Sequence, residues 1–443
     1  MTLRLAATGD SILTRRISAI TNPDFLEVSR LLRSADVSFT NLEFTVPHEP
    51  WMSTPKNSGM SYTIHIGVEP MVLDELKKFG FNLYGGANNH SIDYCPQGLA
   101  DTVSELAKRS MVCAGIGMDL DEAQEPKYLE VNDYRVAIVD ASSTFTPGAM
   151  AGRARAGRSG RPGLNPLCFE TDYILDEQHF AMLRSIDRAL GTAEINEETR
   201  KLGLFRENGR YRFMDKNFLG GESCGIVTYP SNKDMERIER QIREARRQAD
   251  FVVMSLHCHE STNGQYYSIE PADYIPIVAK KCIDSGADIF IGHGPHILRP
   301  LEIYKDKPIF YSLGNFFFTT ETLNKLPNEN YEDFNLDEQA TTADVHDAWT
   351  KTADGQPKMF MSKEVFWFTI LPICEFENGI IKDISVYPIT LGQYKSRGQK
   401  GLPLLSTGVD GLKILNSFIK MSAPYGVQMR IVPGSYPMAK VIL

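Results

Sequence analysis

The chain has 443 residues, enough for one large α/β domain or two ordinary ones. Apolar residues make up 42% and charged residues 23%, a globular balance that leaves a sizeable core available. The formal charge of −9 speaks against broad nucleic-acid binding, which needs a basic surface. Seven cysteines are scattered singly with no CxxC pair, which favours reduced thiols and a reducing compartment. The N-terminus runs straight into the strand-like Leu3-Arg4-Leu5-Ala6-Ala7 with no room for a signal core, and no window approaches the roughly 18 apolar residues of a membrane span. The expectation is a soluble, cytoplasmic protein with no membrane span and no nucleic-acid partner.

In chain order, Leu3 to Thr8 is a predicted strand ending at Gly9-Asp10, Asp24 to Ser34 a helix, and Val37 to Leu42 a strand ending at Glu43. Val68 to Phe79 has helical apolar spacing, and Leu83 leads into Gly85-Gly86-Ala87 and Asn88-Asn89-His90. Tyr134 to Asp140 pairs with Lys127 to Val131 through an Asn132-Asp133 turn. Residues 146 to about 226 break the rhythm. Within them Gly148 to Gly163 reads as a mobile basic loop carrying Arg153, Arg155, Arg158 and Arg161, followed by an insertion with its own helices. The rhythm resumes with a charged helix from Met235 to Ala249, a strand from Phe251 to Leu256 ending at His257, a helix from Ala272 to Asp284, and strands from Ala287 to Ile291 and Pro308 to Leu313. Residues 320 to 362 read as a second insertion or lid. Val365 to Phe376 and Ile380 to Pro388 form a hairpin around Glu377-Asn378-Gly379. Residues 1–320 are read as the main domain, with 321–443 completing it; the last 50 residues carry little pattern.

The chemistry concentrates at strand ends. Five of the nine histidines lie in three short clusters: His90, His257-Cys258-His259 and His293-Gly294-Pro295-His296. Asp10, Glu43, Asn89, His257 and His293 each follow an apolar run, where loops converge in open α/β sheets. Imidazole, carboxylate and amide oxygen together suit Zn, Mn or Fe. His259 and Glu260 stand near the same place. Cys258 reads as a buried small hydrophobe, Asn315 as a hydrogen-bonding support, and Tyr266 and Tyr267 as pocket lining or packing. The arginines of the basic loop are either solvated or anion-binding.

The segments Ala7-Thr8-Gly9-Asp10, Thr40-Asn41-Leu42-Glu43, Ala87-Asn88-Asn89-His90-Ser91-Ile92-Asp93, Ser255-Leu256-His257, Gly292-His293-Gly294-Pro295-His296 and Tyr311-Ser312-Leu313-Gly314-Asn315-Phe316 resemble, in order and spacing, the CapA family. Gly160-Arg161-Pro162-Gly163-Leu164-Asn165 resembles a further segment of some members. That family is named for poly-γ-glutamate capsule synthesis and sits in the calcineurin-like metallophosphatase superfamily. The resemblance implies a four-layer α/β/β/α sandwich with one or two divalent metals at one end. It implies Asp10 and His296 at a first metal, Glu43 as the bridging carboxylate, and Asn89, His257 and His293 at a second. His90, oriented by Asp93, would be an acid or base outside the metals.

Three departures stand out: Ile12 occupies a position where the superfamily has a histidine, the bridging residue is Glu43 rather than aspartate, and two residues separate His293 from His296. They weaken a standard two-metal phosphatase reading. A divalent ion lowers the pKa of its water to about 7. The expected activity is therefore metal-dependent hydrolysis of an amide in a small peptide or polyglutamate-like substrate, with His90 or His259 protonating the leaving amine and the arginine loop holding carboxylates. The alternatives are peptide epimerisation of the lasso-peptide type, phosphodiester cleavage, and a non-catalytic role in capsule assembly.

Overall fold

The computed structural model describes residues 2–48, 52–54, 64–204, 209–262 and 267–443, so Tyr266 falls outside the described residues. Two sheets pack face to face. The first has ten strands. Its main path runs Gln428–Val432, Met438–Ile442, Ile380–Thr390, Phe368–Glu377, Thr2–Ile12, Val37–Leu42, Leu83–Gly85 and Val112–Ala114, with Asn315–Phe318 also pairing to Thr2–Ile12. The second has six: Leu298–Tyr304, Lys307–Leu313, Ile289–His293, Phe251–His257, Tyr134–Ser142 and Lys127–Val131.

Alternation along the strands builds three cores. Leu5, Val37 and Phe39 of the first sheet meet Val136, Ile138, Phe251 and Ile289 of the second in the central layer. The other face of the first sheet packs on Phe25, Val28 and Leu32 of the Pro23–Arg33 helix and Val72 and Leu76 of the Met71–Phe79 helix. The other face of the second packs on Met235, Ile238 and Ile242 of the Asn232–Gln248 helix and Val278 and Cys282 of the Tyr274–Asp284 helix. The result is the α/β/β/α sandwich that the resemblance implies.

Several boundaries differ from the sequence reading, each for a local reason. The first strand runs to Ile12, so Asp10 lies within it, at a bulge: the register with Val37–Leu42 shifts between Ala7 and Asp10, and that with Asn315–Phe318 between Asp10 and Ser11. The Val68–Phe79 helix begins only at Met71, because the Val68 N–H is spent on Thr45 in extended chain. The Met235–Ala249 helix starts earlier, at Asn232, capped by the Ser231 hydroxyl. The hairpin turn holds Asn378 at φ 51° and Gly379 at φ 73°, the left-handed pair that suits two-residue turns. Residues 408–442, unread from sequence, form the Gly408–Ser422 helix and a hairpin that extends the first sheet.

The 146–226 region carries a separate four-stranded sheet built from Phe169–Leu175, Tyr211–Phe213, Lys216–Gly220 and Gly225–Pro230. Residues 320–362 contribute Leu323 and Trp349 to the helix-side core of the first sheet. Tyr267 packs edge-on against Phe366, ring centroids 4.8 Å apart. Among the described residues no helix is long and apolar enough to cross a membrane. All seven cysteines are free thiols.

Two stability outcomes follow. A Cβ at Gly9 would lie 1.8 Å from the Gly314 carbonyl oxygen, so Gly9→Ala is expected to cost about 3 kcal/mol, read from denaturant midpoints. Burial pushes His346 down to about 4 from its usual 6.5. The unfolded chain then binds a proton between those values that the folded chain refuses. Stability is full above pH 6.5 and falls as pH drops toward 4, by up to about 3 kcal/mol from this residue. His346→Gln should flatten that part of the stability–pH curve, and an unchanged slope would remove the assignment.

Candidate metal centre

The parallel strands of both sheets end at one edge of the sandwich, and their C-terminal residues meet there. Asp10 comes from the first sheet, and Glu43 from just beyond its neighbouring strand. The parallel register of the second sheet sets His257 directly beside His293. Asp10, Glu43, His257 and His293 are all fully buried.

Asp10 sits at the centre. Its Oδ1 lies 3.5 Å from His257 Nδ1 and 3.4 Å from His293 Nδ1, and its Oδ2 lies 3.5 Å from His296 Nδ1. Asn41 donates to Oδ1 at 2.9 Å and the Gly294 N–H to Oδ2 at 2.9 Å. Burial alone pushes this carboxyl up, but hydrogen bonds with His257, His293 and His296 more than offset it and hold Asp10 well below the usual carboxylate range.

Glu43 is the reverse case. Neither of its oxygens has a hydrogen-bond partner among the described residues. Burial, then the nearby Asp10 and Asp93 charges, push its pKa well above the usual value. His296 Nε2 lies 3.7 Å and His90 Nε2 3.9 Å from Oε1. A buried carboxylate without a donor costs several kcal/mol. The donor set around it (two carboxylates, four imidazoles, one amide oxygen) is the chemistry that a divalent cation takes. The residues present therefore fit a metal.

Three overlapping groups place ligand atoms within 4.8 Å of one another: Asp10, His257 and His293; Glu43, His257 and His259; and Asp10, Glu43 and His296. His257 joins two of them, its Nδ1 facing Asp10 and His293 and its Nε2 facing Asn89 Oδ1 at 2.7 Å and His259 Nε2 at 3.1 Å. Asp10, and not Glu43 alone, thus stands between the histidine sets. Burial lowers His257 to about 4 and His259 well below its usual value, so both rings stay neutral and keep a lone pair at neutral pH. His296 takes up φ 60° to enter the group, and its Nδ1 donates to Asn315 Oδ1 at 2.9 Å, leaving Nε2 toward Glu43. His293 Nε2 is tethered by the Ser255 hydroxyl at 2.8 Å. His90 stands at the rim, its Nδ1 2.7 Å from Asp93 Oδ2, an oxygen that also accepts the Ile66 N–H.

Some candidates are elsewhere. Glu260 is occupied by the hydroxyls of Ser143, Thr144 and Tyr274 at 2.8–2.9 Å and joins none of these groups. Cys258 is buried, its thiol pushed up to about 12 by desolvation, an inert core residue. Ile12 packs in the helix-side core. Arg153, Arg155 and Arg161 line a cavity that shares no lining residue with the cluster, and Arg158 lines neither. The basic loop is closed by paired backbone hydrogen bonds between Gly152 and Arg161, at 2.9 and 3.0 Å. Asn41 has no assigned role from sequence, although it lies two residues before Glu43 in a quoted motif. It bonds Asp10 and stands 3.3 Å from His257 Nδ1.

The sequence profile described as "bacterial capsule synthesis protein PGA_cap" matches residues 4–320. The chain is 31% identical over 434 residues to the uncharacterized protein y4sH of Sinorhizobium fredii, covering 96% of this chain and 91% of that one. It is 26% identical over 317 residues to the PGA biosynthesis protein CapA of Bacillus subtilis, covering 70% and 62%. It is also 24% identical over 283 residues to a probable polyglutamine synthesis accessory protein of Mycobacterium tuberculosis, covering 64% and 55%.

If the cluster holds a cation, Glu43→Gln should lower the metal content of purified protein, measured by plasma mass spectrometry. It should also raise the melting temperature of the metal-stripped form, because a neutral amide replaces an uncompensated buried carboxylate. Unchanged metal content would exclude Glu43 as a ligand.

Proposed function

This chain belongs to the bacterial capsule synthesis protein family, and on that premise we propose that it is a metal-dependent enzyme that hydrolyses an amide bond in an acidic, polyglutamate-like peptide. One observation carries the reading: the Glu43 carboxylate, fully buried with both oxygens unpartnered among the described residues, beside His296 and within ligand reach of the neutral rings of His257 and His259. Relatives named for PGA biosynthesis and, as a probable accessory protein, for polyglutamine synthesis support this substrate class.

Asp10, Glu43, Asn89, His257, His259, His293 and His296 would hold one or two divalent ions. A bound ion there polarises a carbonyl oxygen and acidifies water. The chain's own groups do the rest. Asp93 fixes the His90 ring through Nδ1, so Nε2 points toward Glu43 and can carry a proton to the leaving amine nitrogen. His259 is not the acid: burial keeps it unprotonated, and its Nε2 lies against His257 Nε2. Its place is among the ligands. That arrangement leaves a single imidazole at the rim, which favours hydrolysis over a two-base epimerisation.

The test uses oligoglutamate substrates in deuterium oxide, following amine release and deuterium at the α-carbon. Hydrolysis predicts new amine groups. Deuterium incorporation without cleavage would replace this reading with epimerisation, and turnover of a generic phosphodiester with Mn but no amide cleavage would replace it with phosphodiesterase. His90→Ala should lower kcat by about 10²–10⁴-fold with metal content retained. Full activity in that variant removes His90 from the mechanism.

A further inference from the structure

We propose that a second cavity, walled by the glycine-rich arginine loop and the first turns of the Asn232–Gln248 helix, is a carboxylate subsite that grips an acidic peptide chain about three residues from the bond presented to the metal cluster. The proposal rests on the reading above for its ligand class. The charge and shape of the cavity are independent of it.

The cavity has a volume of about 730 Å³, in the range that accepts a small-molecule or short-peptide ligand. Six basic side chains line it: Arg153, Arg155 and Arg161 from the loop, and Lys233, Arg237 and Arg240 from the helix. The acidic lining is Asp234 and Glu236. Asp234 is already committed to Arg237 at 3.2 Å and to the Cys168 N–H at 3.0 Å. A local excess of positive charge on a chain of formal charge −9 is a departure that needs a partner.

The pairing pattern identifies which cations are spare. Farther along the same helix, Arg243 pairs with Glu239, Arg246 with Asp288 and Arg247 with Glu244. Inside the cavity, Arg153 is tied to Asp121 at 2.7 Å, and buried Arg237 is held by Asn165 and the Pro166 carbonyl. Among the described residues Arg155, Lys233 and Arg240 have no carboxylate partner, and the Arg161 guanidinium has only the Met150 carbonyl, at 2.9 Å. Guanidinium and ammonium groups converging on one hollow recognise carboxylates or phosphates.

The position relative to the cluster follows from the sheet. Ser142 is the parallel register partner of His257 and also bridges to Pro166, which lines the cavity. Two strand spacings, about 10 Å, therefore separate the His257 backbone from the cavity wall. An extended peptide covers that in about three residues. Backbone hydrogen bonds between Gly152 and Arg161 and between Arg155 and Arg158 close the loop on itself, and Arg237 of the helix donates to Asn165 and the Pro166 carbonyl just beyond it.

The experiment measures binding of a fluorescent hexaglutamate to the full-length, metal-loaded chain by anisotropy. A His90→Ala background prevents cleavage from depleting the probe. If the amide-hydrolysis reading fails, binding is still readable. The double variant Lys233→Gln/Arg240→Gln should weaken hexaglutamate at least tenfold and flatten its salt dependence. Arg243→Gln, outside the cavity, should leave affinity unchanged and reports on general charge loss. Equal affinity in the double variant, or no binding of hexaglutamate to the parent, overturns the proposal. Inorganic phosphate bound at the same residues with hexaglutamate excluded also overturns it, in favour of a phosphate site.

Discussion

Two carboxylates with no exposure to solvent, side by side at the end of a two-sheet sandwich, are the constraint on which this architecture turns. A lone buried carboxylate is unstable by many kcal/mol unless charge or hydrogen bonds compensate it. Asp10 is compensated by the chain itself: an asparagine, a backbone N–H and three imidazoles surround it. Glu43 has no such donors among the described residues. The protein has folded around one satisfied carboxylate and one that is satisfied only if something else arrives. That asymmetry is hard to explain as packing, because an apolar residue of similar volume at position 43 would remove the cost. It is the expected signature of a group retained for a cation.

The imidazoles divide by the partner that orients them. His293 and His296 are tethered through one nitrogen by neutral oxygens, Ser255 Oγ and Asn315 Oδ1, which fix the ring. Such tethers preserve a lone pair on the other nitrogen, as a metal ligand requires. His90 is held by a carboxylate instead, its Nδ1 2.7 Å from Asp93 Oδ2. On the proposed reading, the orienting partner is what separates ligand from acid–base histidines, even though all these rings lie close to the same two acids. His259 is placed differently: its backbone N–H donates to the Thr144 hydroxyl and its ring Nε2 lies 3.1 Å from His257 Nε2, in one group with Glu43.

What could be read from the sequence was whatever repeats locally. Apolar runs at Leu3, Val37, Phe251 and Ala287 marked four of the parallel strands, and residues at or just beyond their ends, Asp10, Glu43, His257 and His293, supplied the centre of the cluster. What could not be read depended on contacts between distant segments. The bulge at Asp10 is set by Gly314, some 300 residues away, and has no local signature. Glu260 follows His259 directly and read as a candidate, but three hydroxyls from two other segments claim it. The arginine loop has its cationic character in plain view, yet the wall it shares with Lys233 and Arg240 exists only once the Asn232–Gln248 helix docks. The C-terminal strands were opaque because their short apolar runs mimic several elements until they find a sheet edge.

The glycines beside the cluster show how far the site's demands reach into the fold. Asp140 lies one layer behind His293, accepting the Gly86 and Ala87 N–H groups, with Ser255 between it and the ring. Burial raises its pKa to about 6, so its charge is held only by those close donors. A Cβ at Gly85 would come within 3.0 Å of its carboxylate, and one at Gly115 within 2.2 Å, with Gly115 also at φ 92°. These glycines are therefore required because a carboxylate occupies the space where side chains of the first sheet would otherwise point. The sheets can approach at this end only with those side chains deleted, and it is this approach that brings Asp10 and Glu43 from one sheet into reach of His257 and His293 from the other.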